Sequence, residues 1–353
     1  MSTDASAASA ARPAVLDPAG RATLRYGLGT ALSVAVAYGV GWPLAYIAPV
    51  LVVSMFLGPP GNRLPFVAGI TMVLSVAAAC VAAYAVTAAL APYPLVLLPV
   101  VMLTLFFIYY GLAGGVVPFL LTWLLIATLL IPMMAQTSMG LAWEIVKSLI
   151  IAAALGLLVN WVTHWLLPDP PPREARPAPA PTRASPTPDQ RFQVARRSLL
   201  VVMPIVLVAM TFNLSGLLLT MIFAALMSMQ PSLTAGRKGG AGMLTGNLVG
   251  GLVAVLVYNV IQGAPTYSMV IALLTLVGLI LGRRLFSGSP SAALYGTAMT
   301  TALILVGGST LPYADEADVK FITRLAQVGL AALYIVSAFW LWERITAVRP
   351  ESR

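Results

Sequence analysis

Lys147 and Arg324 are the residues of this chain whose type and placement could do chemistry. Each is a cation near the start of a long apolar stretch, and the spacing between them equals that between Trp165 and Trp342, so they hold matching positions in two similar halves. A charge near the centre of a bilayer costs about 2.5–3.5 kcal/mol, which makes an ionisable residue there a functional candidate. Two such cations are suited to attracting or coordinating the carboxylate of an organic anion. Glu144 stands three residues before Lys147, on the same helical face, where it can pair with the lysine and act as an intramembrane carboxylate for proton coupling. Around Arg324 the company differs: Lys320 precedes it by four residues and Gln327 follows by three. The first cluster is nearly neutral and the second net positive unless Asp315, Glu316 or Asp318 folds back. Snorkelling of both long side chains to the nearer interface explains the same positions without a ligand, so both readings stay open.

The elements that must position these residues are membrane helices. Hydrophobic residues make up 59% of the chain and charged ones 9%, with a mean hydropathy of +0.92, a bilayer-embedded composition. Spans of about 20 apolar residues give six segments near 22–41, 44–57, 64–90, 94–110, 114–134 and 141–166. A second six follow near 195–212, 216–229, 239–260, 266–286, 290–307 and 319–342. The expected fold is therefore all-α, a polytopic membrane protein of about twelve transmembrane helices in two parallel six-helix repeats, over 22–166 and 193–346. Residues 1–21 and 347–353 read as cytoplasmic ends, and the proline- and arginine-rich stretch 167–192 as a solvated cytoplasmic linker.

Arginines concentrate on one side of this topology (Arg21, Arg25, Arg63, Arg191, Arg196, Arg197, Arg237, Arg283, Arg284), with Lys238 among them. By the positive-inside rule that side is cytoplasmic, in a bacterial inner membrane, and the net charge of +9 needs no nucleic-acid partner. Lys147, Lys320 and Arg324 fall on the other side. The second segment of each half is too short to cross, and Pro49 interrupts the first of them. Short segments at corresponding positions in two repeats point to a transport site, although each could also be one arm of a packed hairpin. One cysteine, Cys80, and one histidine, His164, provide no metal cluster, and no nucleotide-binding loop is present; neither enzyme, metal nor cofactor is expected. Trp161, Trp165, Trp340 and Trp342 read as an interfacial aromatic belt, with His164 beside it.

The stretch Met229-Gln230-Pro231-Ser232, followed by Gly236-Arg237-Lys238-Gly239-Gly240, Gly242, Gly246-Asn247 and Gly250-Gly251, resembles the signature of the fusaric acid resistance and aromatic acid exporter superfamily. Pro49, Gly58-Pro59-Pro60-Gly61-Asn62-Arg63 and Gly69 form a weaker counterpart in the first half. Many members carry a large cytosolic domain between the halves; this chain resembles a compact branch without it. The resemblance implies proton-driven export of aromatic or related organic acids, together with a periplasmic membrane-fusion adaptor. Plant malate channels are distantly similar to the same superfamily, so a passive organic-anion channel is the alternative, with a non-transporting envelope-assembly scaffold as a third. Physically, Gly242, Gly246 and Gly250 recur every four residues, a face for close helix packing or for a homo-oligomer. The same smooth face and Asn247 could instead line the path of the substrate.

Overall fold

The computed structural model describes residues 17–42, 44–57, 63–169, 186–214, 217–229 and 233–309, with single positions between 322 and 337; for 219 and 233–240 it describes backbone only. The described residues form eleven helices and no strand: α1 (Pro18–Gly39), α2 (Ile47–Met55), α3 (Phe66–Leu90), α4 (Pro94–Ala113), α5 (Pro118–Thr137) and α6 (Met139–Leu166). After the linker come α7 (Pro188–Thr211), α8 (Leu218–Met227), α9 (Leu233–Gly263), α10 (Tyr267–Leu285) and α11 (Ala292–Ser309). Eight of them, α3 to α7 and α9 to α11, are long and apolar enough to cross a bilayer. The protein is a multi-pass helical membrane protein.

Local chemistry sets the helix ends. Asp17 caps α1 by accepting from the Gly20 amide at 2.8 Å, with Pro18 in the first turn. Thr187 and Gln190 form a reciprocal capping box behind Pro188, so α7 starts seven residues earlier than hydropathy alone places it. Its first two turns are charged, which a hydropathy scan passes over. The fifth segment likewise begins at Pro118 rather than 114, because Gly114 caps α4, and Gly115 (φ 70°) and Val117 (φ 34°) turn the chain through left-handed conformations.

Helices pack in matched sets. Within the halves, α3 lies on α5 as α9 lies on α11, α4 on α5 as α10 on α11, and α1 on α2 as α7 on α8. Across the halves, α1 packs on α10 as α7 packs on α4, and α2 touches α11 as α8 touches α5. At the α1–α10 crossing Gly278 faces Thr30, with a Cβ built there lying 3.6 Å from the Gly27 Cα. An added methyl would lie 3.0 Å from Thr30 Oγ1, so that side chain would have to give by a few tenths of an ångström; close approach of this kind is what holds helices together where lipid supplies no hydrophobic drive. One apolar core joins α1, α2, α9, α10 and α11; a second joins α4, α5, α7 and α8. Both cores therefore bridge the halves.

At 1.5 Å per residue α2 and α8 are only about 14–15 Å long, half of a hydrocarbon core of ~30 Å. Both are buried over most of their described length: Ala48, Pro49, Leu51, Val52 and Val53 in α2, and Thr220, Met221, Ala224, Ala225 and Met227 in α8. The twelfth expected segment lies mostly outside the described residues. Tyr334 is described, and its hydroxyl donates to the Val201 carbonyl of α7 at 2.6 Å.

Candidate functional site

Lys147 and Glu144 come together as expected from their spacing. Ser138 caps the start of α6 by accepting from the Leu141 amide at 3.0 Å, and two turns on the Lys147 Nζ lies 2.7 Å from Glu144 Oε1. Both side chains are close to half exposed, at 42% and 45%. They line a groove of about 470 Å³ whose other walls are Val36, Ala37, Val40, Gly41 and Trp42 from the end of α1, and Ile151 and Leu155 from α6. Trp42 is fixed there by donating its indole N–H to Ser148 Oγ at 3.1 Å. The described wall residues all belong to the first half, beside α1 and α6. Arg324 and Gln327 lie outside the described residues, as do the side chains of Arg237 and Lys238.

Asn247 is 2% exposed and sits between α9 and α11. Its side-chain oxygen accepts from Thr301 Oγ1 at 2.9 Å and its amide donates to the Met243 carbonyl at 2.8 Å. Gly246 and Gly250 pack directly on α11, beside Thr297 and Ala298, whereas a Cβ on Gly242 would meet none of the described residues within 4 Å. The three glycines thus have unlike surroundings despite their regular spacing.

The opposite end of the molecule holds a second polar assembly, built on residues whose role sequence reasoning assigned to orientation alone. Arg25 is 2% exposed; its guanidinium pairs with Asp169 and donates to the Leu167 carbonyl at 2.9 Å. Arg21 donates to the Pro168 carbonyl at 2.7 Å, so two arginines of α1 fasten the chain as it leaves α6. Cationic donors at the last carbonyls of a helix also suit its partial negative charge. Next to them His164, placed at the interface by sequence, is buried: its ring stacks on Phe56 at 6.3 Å and its Nδ1 engages the Asn160 carbonyl at 2.8 Å. Phe56, at the end of α2, also meets Tyr26 edge-on, and Tyr26 meets Phe286, which caps the end of α10. The Tyr26 hydroxyl, the Asn160 amide nitrogen and His164 Nε2 are buried without a hydrogen-bond partner among the described residues. A buried polar atom left unpaired is costly, and these three cluster around the end of one short helix.

At the end of α8 the corresponding place is hydrogen-bonded instead. Ser198 of α7 donates to the Ser228 carbonyl at 3.0 Å, Ser228 Oγ lies 3.2 Å from the Tyr109 hydroxyl, and that hydroxyl donates to the Ala225 carbonyl at 3.2 Å. Both short helices therefore end in contact with a buried tyrosine from α1 or α4. An arginine four residues after Arg21, in a segment otherwise apolar enough to bury, was the available sequence signal for Arg25. Asp169 gave none, because it follows the helix in a proline-rich stretch.

With this architecture and these sites in view, the class is a polytopic helical membrane protein built around two short, buried helices. Residues 22–163, nearly the whole of α1 to α6, match a protein family described as a protein of unknown function, DUF2955. No curated protein matches the chain, and no solved structure does.

Proposed function

We propose that the chain is a secondary transporter of organic anions in the bacterial inner membrane, exporting aromatic or related acids with the proton gradient as the driving force and without catalytic activity. The observation that carries this reading is the pair α2 and α8: neither is long enough to cross, both are buried, and each contacts the opposite half. Short helices at matching places, surrounded by protein, are what a site between two repeats requires. The matched packing of α1 to α5 and α7 to α11 supports twelve helices in two parallel repeats related by an axis along the membrane normal. The end bearing Arg21, Arg25, Arg63, Arg283 and Arg284 is read as cytoplasmic, which puts both termini inside.

In this reading the substrate enters near the buried polar groups at the ends of α2 and α8 and leaves past the cations Lys147 and Arg324, with Gln327 and Asn247 contributing and Glu144 coupling the proton. The Met229-Gln230-Pro231-Ser232 motif directly after α8 supports the aromatic acid exporter resemblance and, with it, a periplasmic adaptor. A passive anion channel is favoured by one observation: among the described residues, Glu144 is the one carboxylate well inside a span, and it is already paired.

Reconstituted full-length protein loaded with labelled benzoate separates the two. Accumulation against the gradient that requires an imposed pH difference supports the exporter; voltage-driven flux indifferent to pH supports the channel; no flux of any organic acid tested defeats both. Replacing Lys147 and Arg324 together with Gln should reduce flux at least tenfold, and Glu144→Gln should uncouple flux from the pH gradient. Wild-type flux in the double variant removes the anion site from the mechanism.

A further inference from the structure

A cavity of about 500 Å³ opens at the arginine-rich end, on the outer side of α3 and α6. Among the described residues its lining has one cation, Arg63, and an apolar wall that is half aromatic, with Phe66, Trp161 and Trp165 beside Leu64, Pro65 and Val162. The wall is rigidly built. Leu64 is held to α6 at both of its backbone groups, its amide by Asn160 Oδ1 at 3.4 Å and its carbonyl by the Trp161 indole N–H at 3.0 Å. Phe66 stacks on Trp161 with ring centroids 5.2 Å apart. This fixes the backbone next to Arg63, which lines the same cavity as the rings.

Two features define the occupant. Phe66 and Trp165 are 67% and 80% exposed, so a fully aqueous neighbour would leave a broad apolar surface wet. Arg63 is exposed and makes no hydrogen bond or ion pair among the described residues, so its charge is available. An amphiphile with an anionic head satisfies both at once, the head on the guanidinium and the chains along the rings and the exposed Val67, Ile70 and Leu158 above them. A choline or ethanolamine head would bring its own cation against Arg63. We propose that this cavity binds an anionic glycerophospholipid of the leaflet at the arginine-rich end, its phosphate on Arg63 and its glycerol and upper acyl chains against Phe66, Trp161 and Trp165.

Full-length protein in phosphatidylcholine vesicles, titrated with either phosphatidylglycerol or phosphatidylcholine brominated on the acyl chains, tests this through quenching of tryptophan fluorescence. A single basic residue at an anionic headgroup is worth about a fivefold preference. Brominated phosphatidylglycerol should therefore reach half-maximal quenching at about one-fifth the mole fraction of brominated phosphatidylcholine. Arg63→Gln should abolish that preference, Arg63→Lys should keep most of it, and Trp165→Phe should reduce its amplitude. Equal quenching by both lipids in the wild type, or an undiminished preference in Arg63→Gln, overturns the proposal. If Arg63→Gln is not recovered folded, salt gives the same decision on the wild-type chain: the preference should largely vanish at 1 M, where charges are screened within about 3 Å, and its persistence there refutes the site.

Discussion

Gly250→Ala should destabilise the protein while Gly242→Ala, two turns earlier in the same motif, should not. A Cβ on Gly250 would strike the Ala298 carbonyl oxygen and come within 2.8 Å of Thr301 Cβ and 2.9 Å of Ala298 C, where ordinary contact begins at 3.4 Å. Two of those atoms are backbone, so α9 and α11 must separate by about half an ångström or more, an overpacking penalty of roughly 1–3 kcal/mol. The same movement stretches the 2.9 Å bond from Thr301 to Asn247, adding about 0.6–1.7 kcal/mol if it is lost. Against this stands the gain of about 1 kcal/mol from replacing a helical glycine with alanine. The net expectation is a loss of about 1–3 kcal/mol for Gly250→Ala. For Gly242→Ala, with none of the described residues within 4 Å of its Cβ, only the propensity gain remains. Unfolding midpoints in a mild detergent, followed by circular dichroism, measure both. Equal destabilisation at the two positions would refute the packing geometry.

Other perturbations have equally definite outcomes. Asp169→Asn should destabilise more than Arg25→Gln, because the first strands a guanidinium that is 2% exposed whereas the second leaves a carboxylate 29% exposed that water can reach; unfolding midpoints in the wrong order would contradict the pairing. A double-mutant cycle of Asn247→Leu and Thr301→Val should return a coupling of about 0.6–1.7 kcal/mol, and additivity would mean the buried bond is absent. Glu144→Gln should change the unfolding midpoint little, since a half-exposed pair one turn apart contributes only about 0.2–0.5 kcal/mol; a large shift would mean the pair is buried.

Helix positions were legible in the sequence because apolar length alone defines a span, and the expected segments 64–90 and 266–286 fall within two residues of α3 and α10. Helix starts were less legible where capping residues rather than hydropathy decide them, as at Thr187. The Lys147–Glu144 contact was legible for the same reason as any pair three residues apart on a helix. For Arg25 only its place in an apolar segment was legible: its pairing depends on Leu167 and Asp169, far along the chain, and no local pattern records that α6 ends beside the start of α1.

The sequence by itself determined a multi-pass helical protein, its two short segments and its uneven charge, since those follow from residue type and from distances along one helix. Tertiary structure decided which faces meet. It turned one regular glycine stripe into two tight contacts and one open position, and put Lys147 in a groove against the end of α1. It also converted an orienting arginine into a buried ion pair. Each of these depends on how separate helices approach, and in a bilayer that is governed by close packing and polar pairing between helices, to which hydropathy is indifferent.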